Sequence, residues 1–500
     1  MTETRPRPAA DYVDGRFLDI PGDALVSRNP AAPDEVIWSG MPRADHVDMA
    51  VAAANVALGP WAALTLDERI GVLRRWQAVT AAGAERLAGL ITDEMGKTLG
   101  ESRIEARALA EKVNVTLDEV SLGRVRDYAV KVSDSRDGRC RFRPYGVMAV
   151  IGPFNFPAHL PNGQFIPALL TGNTVVFKPS EKTPGVGQML AQMWHDVGLP
   201  PGVFNVVQGG GDVAASLVSD DDIAGVLFTG SWPVGRKIMQ ANLDRPGRMI
   251  ALEMGGNNPA VVLDDAPLKL AVLECVRAAF ATTGQRCTCT RRIIVQEGIA
   301  ASFMSAFCKA ATTILIGPGR SGDPVFMGPI VTDAARQNVL EHQARLVGAG
   351  GRIVVESTAP DFPGHFITPG VIEVDGFSLD DDCEIFGPLV QICSVGSIDE
   401  AIEQANATRY GLAASVFTAD ERRFEACFRH VNAGCINWNN GTAGASSKLP
   451  FGGRGRSGNN RPAAAFAADF CAYPVASMEE RAADLAVPGG VEWNDRWIRP

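Results

Sequence analysis

Residues 146–181 read GVMAVIGPFNFPAHLPNGQFIPALLTGNTVVFKPSE, and this stretch decides the fold class. Two short apolar runs, GVMAVIG and NTVVFKPS, flank the helix-like segment GQFIPALLTG. The same alternation continues downstream through GVGQMLAQMWHDVG, VFNVVQGG and IAGVLFTGS. Buried apolar strands that alternate with helices are typical of a parallel sheet covered by helices. The sequence therefore predicts an α/β domain around this segment.

A second series of the same kind begins near PAVVLDDA and continues through APLKLAVLECVRAAFATTG, RRIIVQ, GIAASFMSAFCKAATTI, GRIVVES and PLVQICSVG. Two α/β domains side by side are the simplest interpretation. Upstream, residues 45–123 carry apolar residues at three- and four-residue spacing, which predicts amphipathic helices. The late segment FAADFCAYPVASMEE is a strand candidate with no local partner, so we expect it to pair across a subunit interface.

Composition excludes several classes of protein. The 500 residues are 46% hydrophobic and 21% charged, as in globular chains of two or three domains. The net charge is -10 with no run of Lys or Arg, so nucleic acid is not an expected partner. The charge-free span 144–177 contains five prolines and is not predicted to cross a membrane. The N-terminus lacks an apolar region after its arginines, so no secretory signal and a cytoplasmic location are predicted.

Two of the ten scattered cysteines stand out. Cys287 and Cys289 lie two residues apart in TTGQRCTCT, residues 282–290, a stretch that is very polar for a core strand. Taken alone, the pair could be half of a metal site, a disulfide or a nucleophile with a neighbour. A C-x-C pair with all six histidines distant in sequence is a poor zinc site, so we predict no metal.

Two predicted strand ends carry residues suited to a nucleotide. In VLFTGSWPVGRKIM, Gly230 and Gly235 lie where a strand gives way to a helix, so that backbone N–H groups can meet a phosphate. A simple tight turn explains this G-x4-G spacing equally well. In NTVVFKPSE, Lys178, Ser180 and Glu181 follow a strand at the edge where open α/β sheets bind ligands. Glu181 suits a ribose diol and would repel a 2'-phosphate, although a solvated loop is the alternative.

Two further residues suit acid–base and oxyanion chemistry. Glu253 in ALEMGGNNPAVVL has an apolar and glycine-rich setting that can raise a carboxyl pKa toward that of a general base. A capping or salt-bridging glutamate is the alternative. Asn155 in GPFNFP lies in a rigid turn that can aim an N–H donor at an oxyanion, but such turns often contain Asn for structural reasons.

Taken together, these segments resemble the aldehyde dehydrogenase superfamily. GPFNFP, FKPSE, FTGS, LEMGGNNP, GQRCT, EIFGPL and PFGGRGRSG occur in the order and approximate spacing of that family, and the resemblance covers residues 15 to 480. It implies an α/β aldehyde dehydrogenase-like fold with a Rossmann-like NAD-binding domain, a catalytic domain and a small β oligomerisation element.

The resemblance assigns the chemistry to three residues. Cys287 corresponds to the nucleophile, on an exposed catalytic loop, and Glu253, 34 residues earlier, corresponds to the general base. The Cys287 thiolate is expected to attack the aldehyde carbon, with the oxyanion of the thiohemiacetal held by the Asn155 amide and the Cys287 N–H. Hydride loss then leaves a thioester, which water activated by Glu253 hydrolyses to the acid. Cys289 is expected to have no chemical role.

The resemblance also implies NAD as cofactor. Lys178 and Glu181 correspond to contacts with the adenosine ribose, and Glu181 favours NAD over NADP. Gly230, Ser231 and Gly235 correspond to the pyrophosphate turn. The expected cofactor contacts are Phe154, Lys178, Ser180, Glu181, Gly230, Ser231, Val234, Gly235, Gly255, Glu384 and Phe386, of which Glu384 holds the nicotinamide ribose.

Several segments resemble most closely the branch that oxidises N-succinylglutamate 5-semialdehyde in bacterial arginine degradation. They include INWNNGTAGASSKLPFGG and SGNNRPAAAFAADFCAYPVAS. The chain departs from this branch at Asn440, where a cation is usual, and at Lys448, where a small residue is usual. We therefore hypothesise that Ser446, Ser447 and Lys448 bind a substrate carboxylate. The alternative is that Lys448 is an ordinary surface residue.

The resemblance implies a division of the chain and an oligomer. Residues 1–125 and 148–253 are expected to form the NAD-binding domain, 254–445 the catalytic domain, and 446–463 an anchor loop returning to the NAD-binding domain. Residues 126–147 and 464–490 are expected to build the interface of a homodimer or homotetramer.

Two functional alternatives remain open. One is the same chemistry on another carboxylated semialdehyde, succinate or glutamate semialdehyde. The other is a cysteine-dependent thioesterase or esterase, since Cys287 and Glu253 are sufficient for acyl hydrolysis.

Overall fold

The computed structural model describes residues 8–321, 324–380, 382–482 and 486–498. Residues 1–7, which contribute to the prediction about a secretory signal, lie outside this range. The N-terminal strands are β1 (Ala10–Val13), β2 (Arg16–Asp19), β3 (Leu25–Asn29) and β4 (Ala32–Gly40). The helices that follow are α1 (Asp45–Ala63), α2 (Leu66–Met95), α3 (Leu99–Thr116) and α4 (Glu119–Leu122). The helices predicted for residues 45–123 are therefore confirmed, whereas the two hairpins were not predicted.

Side-chain caps fix where α2 and α3 begin. The Thr65 side chain accepts from the Glu68 N–H, and the Glu68 carboxylate accepts from the Thr65 N–H, which is a capping box. Thr98 and Glu101 form the same arrangement at the start of α3. α2 ends at Gly96, whose φ of +91° costs a glycine little. Thus α3 begins only a short turn after α2, and α2 and α3 pack against each other.

The next part of the chain supplies most of the first sheet. Its strands are β5 (Tyr128–Lys131), β6 (Arg136–Pro144), β7 (Val147–Ile151), β8 (Thr174–Lys178), β9 (Phe204–Val206), β10 (Ile223–Gly230) and β11 (Met249–Met254). Its helices are α5 (His159–Leu170), α6 (Pro184–Val197), α7 (Gly211–Ser219) and α8 (Trp232–Ala241). The sheet has the order β11-β10-β7-β8-β9-β1-β2. The run from β11 to β9 is parallel, as predicted, and β1 and β2 join it antiparallel.

The first sheet is covered on both faces. Alternate residues of β7 enter different cores: Met148 and Val150 contact one, and Ala149 and Ile151 contact the other. Side chains alternate across a strand, so a strand with two buried faces must be apolar throughout, which is why β7 and β8 are continuous apolar runs. One core contains the stacked rings of Trp76 from α2 and Trp194 from α6, 3.9 Å between centroids.

The chain then crosses to a second sheet through residues 255–257. The strands are β12 (Asn258–Val262), β13 (Thr290–Gln296), β14 (Arg352–Val355), β15 (Gly370–Glu373), β16 (Leu389–Val395), β17 (Ala413–Phe417) and β18 (Cys435–Trp438). The helices are α9 (Leu268–Phe280), α10 (Glu297–Thr312), α11 (Asp333–Gly348), α12 (Ile398–Asn406) and α13 (Glu421–His430). The order is β14-β15-β16-β13-β12-β17-β18, and all pairs except β14–β15 are parallel.

The last strands are β19 (Pro450–Phe451), β20 (Ala463–Ala464) and β21 (Ala472–Glu480). β21 has no partner close to it in sequence, as predicted, and its pairing across a subunit interface stays a prediction. It pairs antiparallel with β6 over nine residues, from Ala472 opposite Pro144 to Glu480 opposite Arg136, in the sheet β21-β6-β5. Ion pairs between the two strands, such as Glu479 with Arg141, reinforce the pairing. The two strands are more than 300 residues apart in sequence, so no local pattern could reveal it.

The predicted α/β class, with two largely parallel sheets and a small β element, is confirmed. The domain boundaries drawn from the sequence remain predictions. Among the described residues, no single helix has the length and apolar composition required to cross a bilayer. α1 and α2 meet that requirement by length and composition only as a pair, which is bent by 118°.

Candidate active site

A cavity of about 730 Å³ lies where the two sheets meet, within the size range of ligand pockets in enzymes. Its strand-end wall consists of the ends of β8 and β10 and the residues just after them: Lys178, Ser180, Glu181, Gly230 and Ser231. Its helical wall contains Lys112 from α3 and His159, Leu160, Gly163 and Gln164 from α5. Asn155, Glu253 and Cys287, the three residues predicted to carry the chemistry, all line this cavity.

The segment before Cys287 has an unusual backbone. Thr282 and Thr283 have φ of +55° and +56°, in the left-handed region that β-branched residues rarely adopt. Gly284 follows with φ +68°, and a Cβ there would lie 2.2 Å from the Gly387 carbonyl oxygen. Each strained threonine costs about 1–3 kcal/mol, so other contacts must hold this segment. The Thr282 hydroxyl donates to Glu101, and the Thr283 hydroxyl donates to the Gly328 carbonyl.

Two residues that sequence reasoning missed fix the position of this loop. Asn258, at the start of β12, donates from Nδ2 to the carbonyls of Cys287 at 2.7 Å and Cys289 at 2.8 Å. Arg291 is buried in β13 and donates to the carbonyls of Gly284, Arg286 and Gly387. Consecutive arginines in the apolar strand RRIIVQ were a visible signal, because a buried guanidinium needs several acceptors.

The stretch 282–290 is not the exposed loop that the sequence predicted. Arg286 and Cys287 are half-buried, and the rest of the stretch is buried, because its polar groups bind backbone carbonyls. Both cysteines are free thiols; Cys289 is fully buried, with Sγ 3.9 Å from the Ala281 carbonyl oxygen. Cys287 thus faces the cavity while Cys289 belongs to the core.

Burial raises the pKa of the Cys287 thiol, and the nearby Glu384 and Glu253 raise it further. The thiol form therefore dominates at neutral pH, and the proton must leave before sulfur can attack a carbonyl.

Glu253 lies near the end of β11 and is 8% exposed. Among the described residues neither of its carboxylate oxygens accepts a well-formed hydrogen bond. Burial therefore raises its pKa well above 4.5, and the nearby Ala463 N–H offsets this only in part. A carboxylate in this state is a stronger base than an exposed one, as the sequence analysis expected.

Asn155 is held next to the stretch 282–290. Its side-chain Nδ2 donates to the Gln285 carbonyl at 2.9 Å, and its backbone carbonyl accepts from the Lys97 ammonium at 2.7 Å. Lys97 is fully buried and paired with Glu105, which accepts from the N–H groups at the start of α5. Within the described ranges, the second Nδ2 proton of Asn155 and the Cys287 N–H have no protein acceptor. Both donors remain available to an oxygen in the cavity.

The strand-end wall combines backbone turns with a few side chains. The buried Lys178 ammonium donates to the carbonyls of Pro179 and Gly209, and burial lowers its pKa to about 8. Ser180 is buried, and its hydroxyl lies 3.4 Å from the exposed Glu181 carboxylate. Opposite them, the rings of Phe154 and Phe386 make an edge contact at 5.7 Å, and both line the cavity.

Glycines leave room for a ligand beside this wall. A Cβ at Gly230 would lie 2.4 Å from the Phe228 ring, and one at Gly255 would lie 1.8 Å from Glu384 Oε2. α8 begins at Trp232, directly after β10, and no side chain caps its first turn. Its free N–H groups can therefore bind a phosphate. Gly235 is buried against Met254 and does not line the cavity, whereas Val234 does.

Glu384 is half-buried on the same side of the cavity. Its Oε1 accepts from the Gly256 N–H at 3.2 Å, and burial raises its pKa to about 7. The other carboxylate oxygen is available to a ligand hydroxyl. The glycines, the uncapped helix start and this carboxylate fit a dinucleotide such as NAD.

Part of the segment predicted to be the anchor loop borders the cavity. Ser446 and Ser447 line it, but Lys448 is exposed and does not, so the structure does not place Lys448 with the other two predicted substrate contacts. The reason is a turn in which the Leu449 N–H donates to the Ser446 carbonyl. Asn440 also lies outside the cavity wall and accepts a hydrogen bond from Arg277.

Comparison with known proteins identifies similar chains. The family model described as aldehyde dehydrogenase family matches residues 20–474. The N-succinylglutamate 5-semialdehyde dehydrogenase of Paraburkholderia xenovorans is 42% identical over 484 residues, which cover 96% of this chain and 98% of that one. A putative aldehyde dehydrogenase structure from Burkholderia cenocepacia has a TM-score of 0.90 at 29% identity, covering 97% and 99% of the two chains. A structure of 1-pyrroline-5-carboxylate dehydrogenase from Thermus with bound NAD has a TM-score of 0.89 at 28% identity, covering 95% and 93%.

Proposed function

The chain belongs to the aldehyde dehydrogenase family, and from this premise we propose that it oxidises N-succinyl-L-glutamate 5-semialdehyde to N-succinyl-L-glutamate with NAD. It is an aldehyde-oxidising oxidoreductase. The observation that carries the proposal is that Cys287, Glu253 and Asn155 line the same cavity as the strand-end wall. A relative that shares 42% of its residues over nearly the whole chain supports the choice of substrate.

Cys287 is the nucleophile in this proposal. The thiol proton of Cys287 leaves to a base, the sulfur forms a bond to the aldehyde carbon, and the carbonyl oxygen becomes an oxyanion. The second Nδ2 proton of Asn155 and the Cys287 N–H are the donors for that oxygen, because neither has another acceptor in the described part of the chain. The strained loop is fixed by Asn258 and Arg291, so these donors are positioned before the substrate arrives.

Glu253 is the base for the second half of the reaction. Oxidation of the sulfur-bound carbon leaves a thioester on Cys287, and water must then attack its carbonyl carbon. Glu253 takes the proton of that water, the carbon–sulfur bond breaks, and the acid leaves. Its raised pKa suits this role, because a base works best when its pKa lies near the working pH.

NAD, when bound, supplies the hydride acceptor for the oxidation. The residues that would hold it are those of the strand-end wall, with Val234, Gly255, Glu384, Phe154 and Phe386 around them. The choice of NAD over NADP rests on Glu181, whose negative charge at the edge of the wall would repel a 2'-phosphate.

The direct test is NADH formation by the purified protein, followed by absorbance, with N-succinylglutamate 5-semialdehyde, glutamate semialdehyde and succinate semialdehyde in parallel. We expect kcat/KM for the succinylated substrate to exceed the others by more than about tenfold, or roughly 1.4 kcal/mol of transition-state binding. The same assay with NADP should give a lower rate. Equal or higher kcat/KM with a smaller semialdehyde would contradict the proposed substrate.

The thioesterase alternative predicts a different result. Such an enzyme would hydrolyse a thioester or ester at the same rate without NAD, because Cys287 and Glu253 would suffice. We expect no aldehyde consumption without NAD. Acyl hydrolysis as fast as NADH formation would favour the alternative.

We also propose that the chain forms a homodimer or homotetramer through the sheet β21-β6-β5. Tyr128, Val130 and Met478 are 53–60% exposed on this small sheet, and β21 is an edge strand, with β6 as its only neighbour among the described residues. Exposed apolar patches and free edges are typical of interfaces. Light scattering should give a molecular mass that is a multiple of 53.1 kDa, the mass of one chain, and Val130→Glu should lower the measured mass. A monomeric wild-type chain would contradict the proposal.

The division into an NAD-binding domain (1–125 and 148–253), a catalytic domain (254–445) and an anchor loop (446–463) is proposed on the same basis. Asn459 supports the return of the anchor loop, since its side chain bonds the backbone of Ile250 and Leu252 in β11. The cytoplasmic location expected from the sequence likewise stands as a proposal.

A further inference from the structure

Lys112 is a buried cation in the helical wall. The residue is 3% exposed, yet it lines the cavity, and its ammonium donates to the Ala464 carbonyl at 2.8 Å. A Cβ at Gly163 would lie 4.0 Å from the Lys112 Cε, so the glycine leaves space beside the lysine stem. Burial lowers the Lys112 pKa to about 8, which leaves the ammonium as the main form at pH 7.

This charge has no counterion among the described residues. Across the ranges that the structure describes, no Asp or Glu oxygen lies within 4.0 Å of the Lys112 nitrogen. Arg286, another cation lining this part of the cavity, is paired with Glu101 at 2.9 Å. A buried charge without a partner is costly, and such a group in a cavity is a candidate for binding a ligand of opposite charge.

His159 lies beside Lys112 and also lacks a partner. It is four residues before Gly163 on α5, so the two share a helix face. Its Nδ1 is buried and has no hydrogen-bond partner in the described part of the chain. The Lys112 charge is close enough to lower the His159 pKa, after the larger effect of burial and against that of Glu105. A ligand in the cavity can therefore meet the ring only through Nε2, the nitrogen that is not buried.

The pair lies close to the reacting groups. Ala464, which accepts from Lys112, directly follows Ala463, whose N–H lies near the Glu253 carboxylate. His159 is four residues after Asn155. An aldehyde at Cys287 could thus extend its far end along the helical wall, away from the strand-end wall.

We propose that Lys112 and His159 form a binding subsite for a carboxylate of the aldehyde substrate. This inference rests on the proposed function, since it identifies which charged group the aldehyde carries into the cavity. The carboxylate supplies the counterion that Lys112 lacks and accepts a hydrogen bond from the His159 Nε2–H. Lys112 and His159 thus take the carboxylate-binding role that the sequence suggested for Lys448, which lies outside the cavity.

The test uses matched aldehydes that do not depend on the identity of the natural substrate. Unbranched ω-oxo carboxylates of four to eight carbons are compared with n-alkanals of the same length, with N-succinylglutamate 5-semialdehyde alongside. The full-length wild type, Lys112→Met, Lys112→Arg and the control Lys448→Met are assayed for kcat and KM at saturating NAD. Methionine keeps the length of the side chain without its charge.

We expect the wild type to prefer the carboxylate at one or more chain lengths. Lys112→Met should lower kcat/KM for that carboxylate by about 10- to 150-fold, the effect of losing a hydrogen bond to a charged group. The loss should fall mainly on KM, and alkanals should change by less than about threefold. Lys112→Arg should restore part of the preference, and Lys448→Met should leave it unchanged.

Other results would overturn the subsite. They are a wild type without preference for any carboxylate, an equal loss for the carboxylate and the alkanal in Lys112→Met, or a loss in Lys448→Met as large as that in Lys112→Met. An equal loss would mean that Lys112 acts only by holding Ala464. Failure of the succinylated substrate alone would contradict the proposed function but not the subsite, because the matched aldehydes judge it separately.

A second variant keeps the test valid if Lys112→Met does not fold. His159→Leu removes the other partner and leaves the Lys112–Ala464 hydrogen bond in place. It should lower the same carboxylate preference, and thermal unfolding measured beside the wild type shows whether the variant is folded. If a folded His159→Leu variant keeps the wild-type preference for the carboxylate, His159 is not part of the subsite and the proposed pair is contradicted.

Discussion

The strand-end wall takes its residues from two short segments of sequence, whereas the helical wall and the loops around it take theirs from positions far apart. Lys178, Ser180 and Glu181 are almost contiguous, and Gly230 is followed directly by Ser231. In contrast, Lys112 on α3 lines the cavity with His159 on α5 and donates to Ala464 in β20. One wall is built largely by backbone turns, and the other by side chains from separate elements.

The difference has a functional meaning. A turn that presents N–H groups binds the constant phosphates of a dinucleotide, so its geometry depends on glycines and on a helix start. A wall of side chains can change one residue at a time, so it is suited to the variable part of the reaction, the substrate. Variants at the reacting groups between the walls should affect the reaction of every substrate. Variants in the strand-end wall should affect the dinucleotide, and variants in the helical wall should affect the aldehyde.

Cys287 lies between the walls and should show the largest effect. Cys287→Ser should lower kcat by at least about 10⁴-fold for every aldehyde, as loss of a nucleophile does in hydrolases. NADH formation measures the rate. The matched control is Cys289→Ala, which removes a buried thiol that does not line the cavity and should retain most activity. Equal losses in the two variants would show that the loop as a whole, not its sulfur at 287, is required.

Glu253→Gln should have the next largest effect, a fall in kcat of about 10²- to 10⁴-fold, because glutamine cannot accept a proton. Only the ionised carboxylate is a base, and burial raises its pKa. The wild-type kcat should therefore rise as the pH passes through the raised pKa of Glu253, and activity should be lost at pH values below that pKa. The variant should lack this rise. A pH profile of kcat from pH 5 to 9 checks this, and an unchanged profile in Glu253→Gln would remove Glu253 as the base.

The comparison of walls also explains what the sequence could reveal. The alternation of apolar runs and helices predicted the parallel sheets, because strands buried on both faces must be apolar throughout. Residues at the ends of those strands then meet at one edge, so Lys178, Glu181 and Gly230 could be placed together. Cys287 and Glu253 were found through contiguous motifs with characteristic spacing.

What remained hidden depended on contacts between distant segments. Lys112 lies in a helix whose pattern indicates a charged, solvated face, and only the packing of α3 on α5 turns it toward the cavity. Asn258 and Arg291 act on backbone carbonyls, which every residue has, so the sequence does not show which carbonyls they bind. The pairing of β21 with β6 was missed for the same reason.

Gly255→Ala tests the strand-end wall from the backbone side. A Cβ there would lie 1.8 Å from Glu384 Oε2, so the carboxylate must move away from the position proposed for the nicotinamide ribose. Overpacking of this kind costs about 1–3 kcal/mol, which corresponds to a rise of about 5- to 150-fold in KM for NAD. Gly348→Ala, where a Cβ would have no neighbour within 4 Å, is the control. A rise in KM for the aldehyde but not for NAD would break the division between the walls.

Glu181 should show the smallest effect, because its side chain is exposed and solvent weakens its charge. Glu181→Ser should raise kcat/KM for NADP by about two- to fivefold, as removal of an exposed like charge does, and should lower it slightly for NAD. Glu425→Ser removes an exposed acid remote from the cavity and should change neither value. The gain with NADP should shrink at high salt, because ions screen exposed charges. If the gain persists in 1 M salt, Glu181 excludes the 2'-phosphate by shape, and the strand-end wall then discriminates through side chains as the helical wall does.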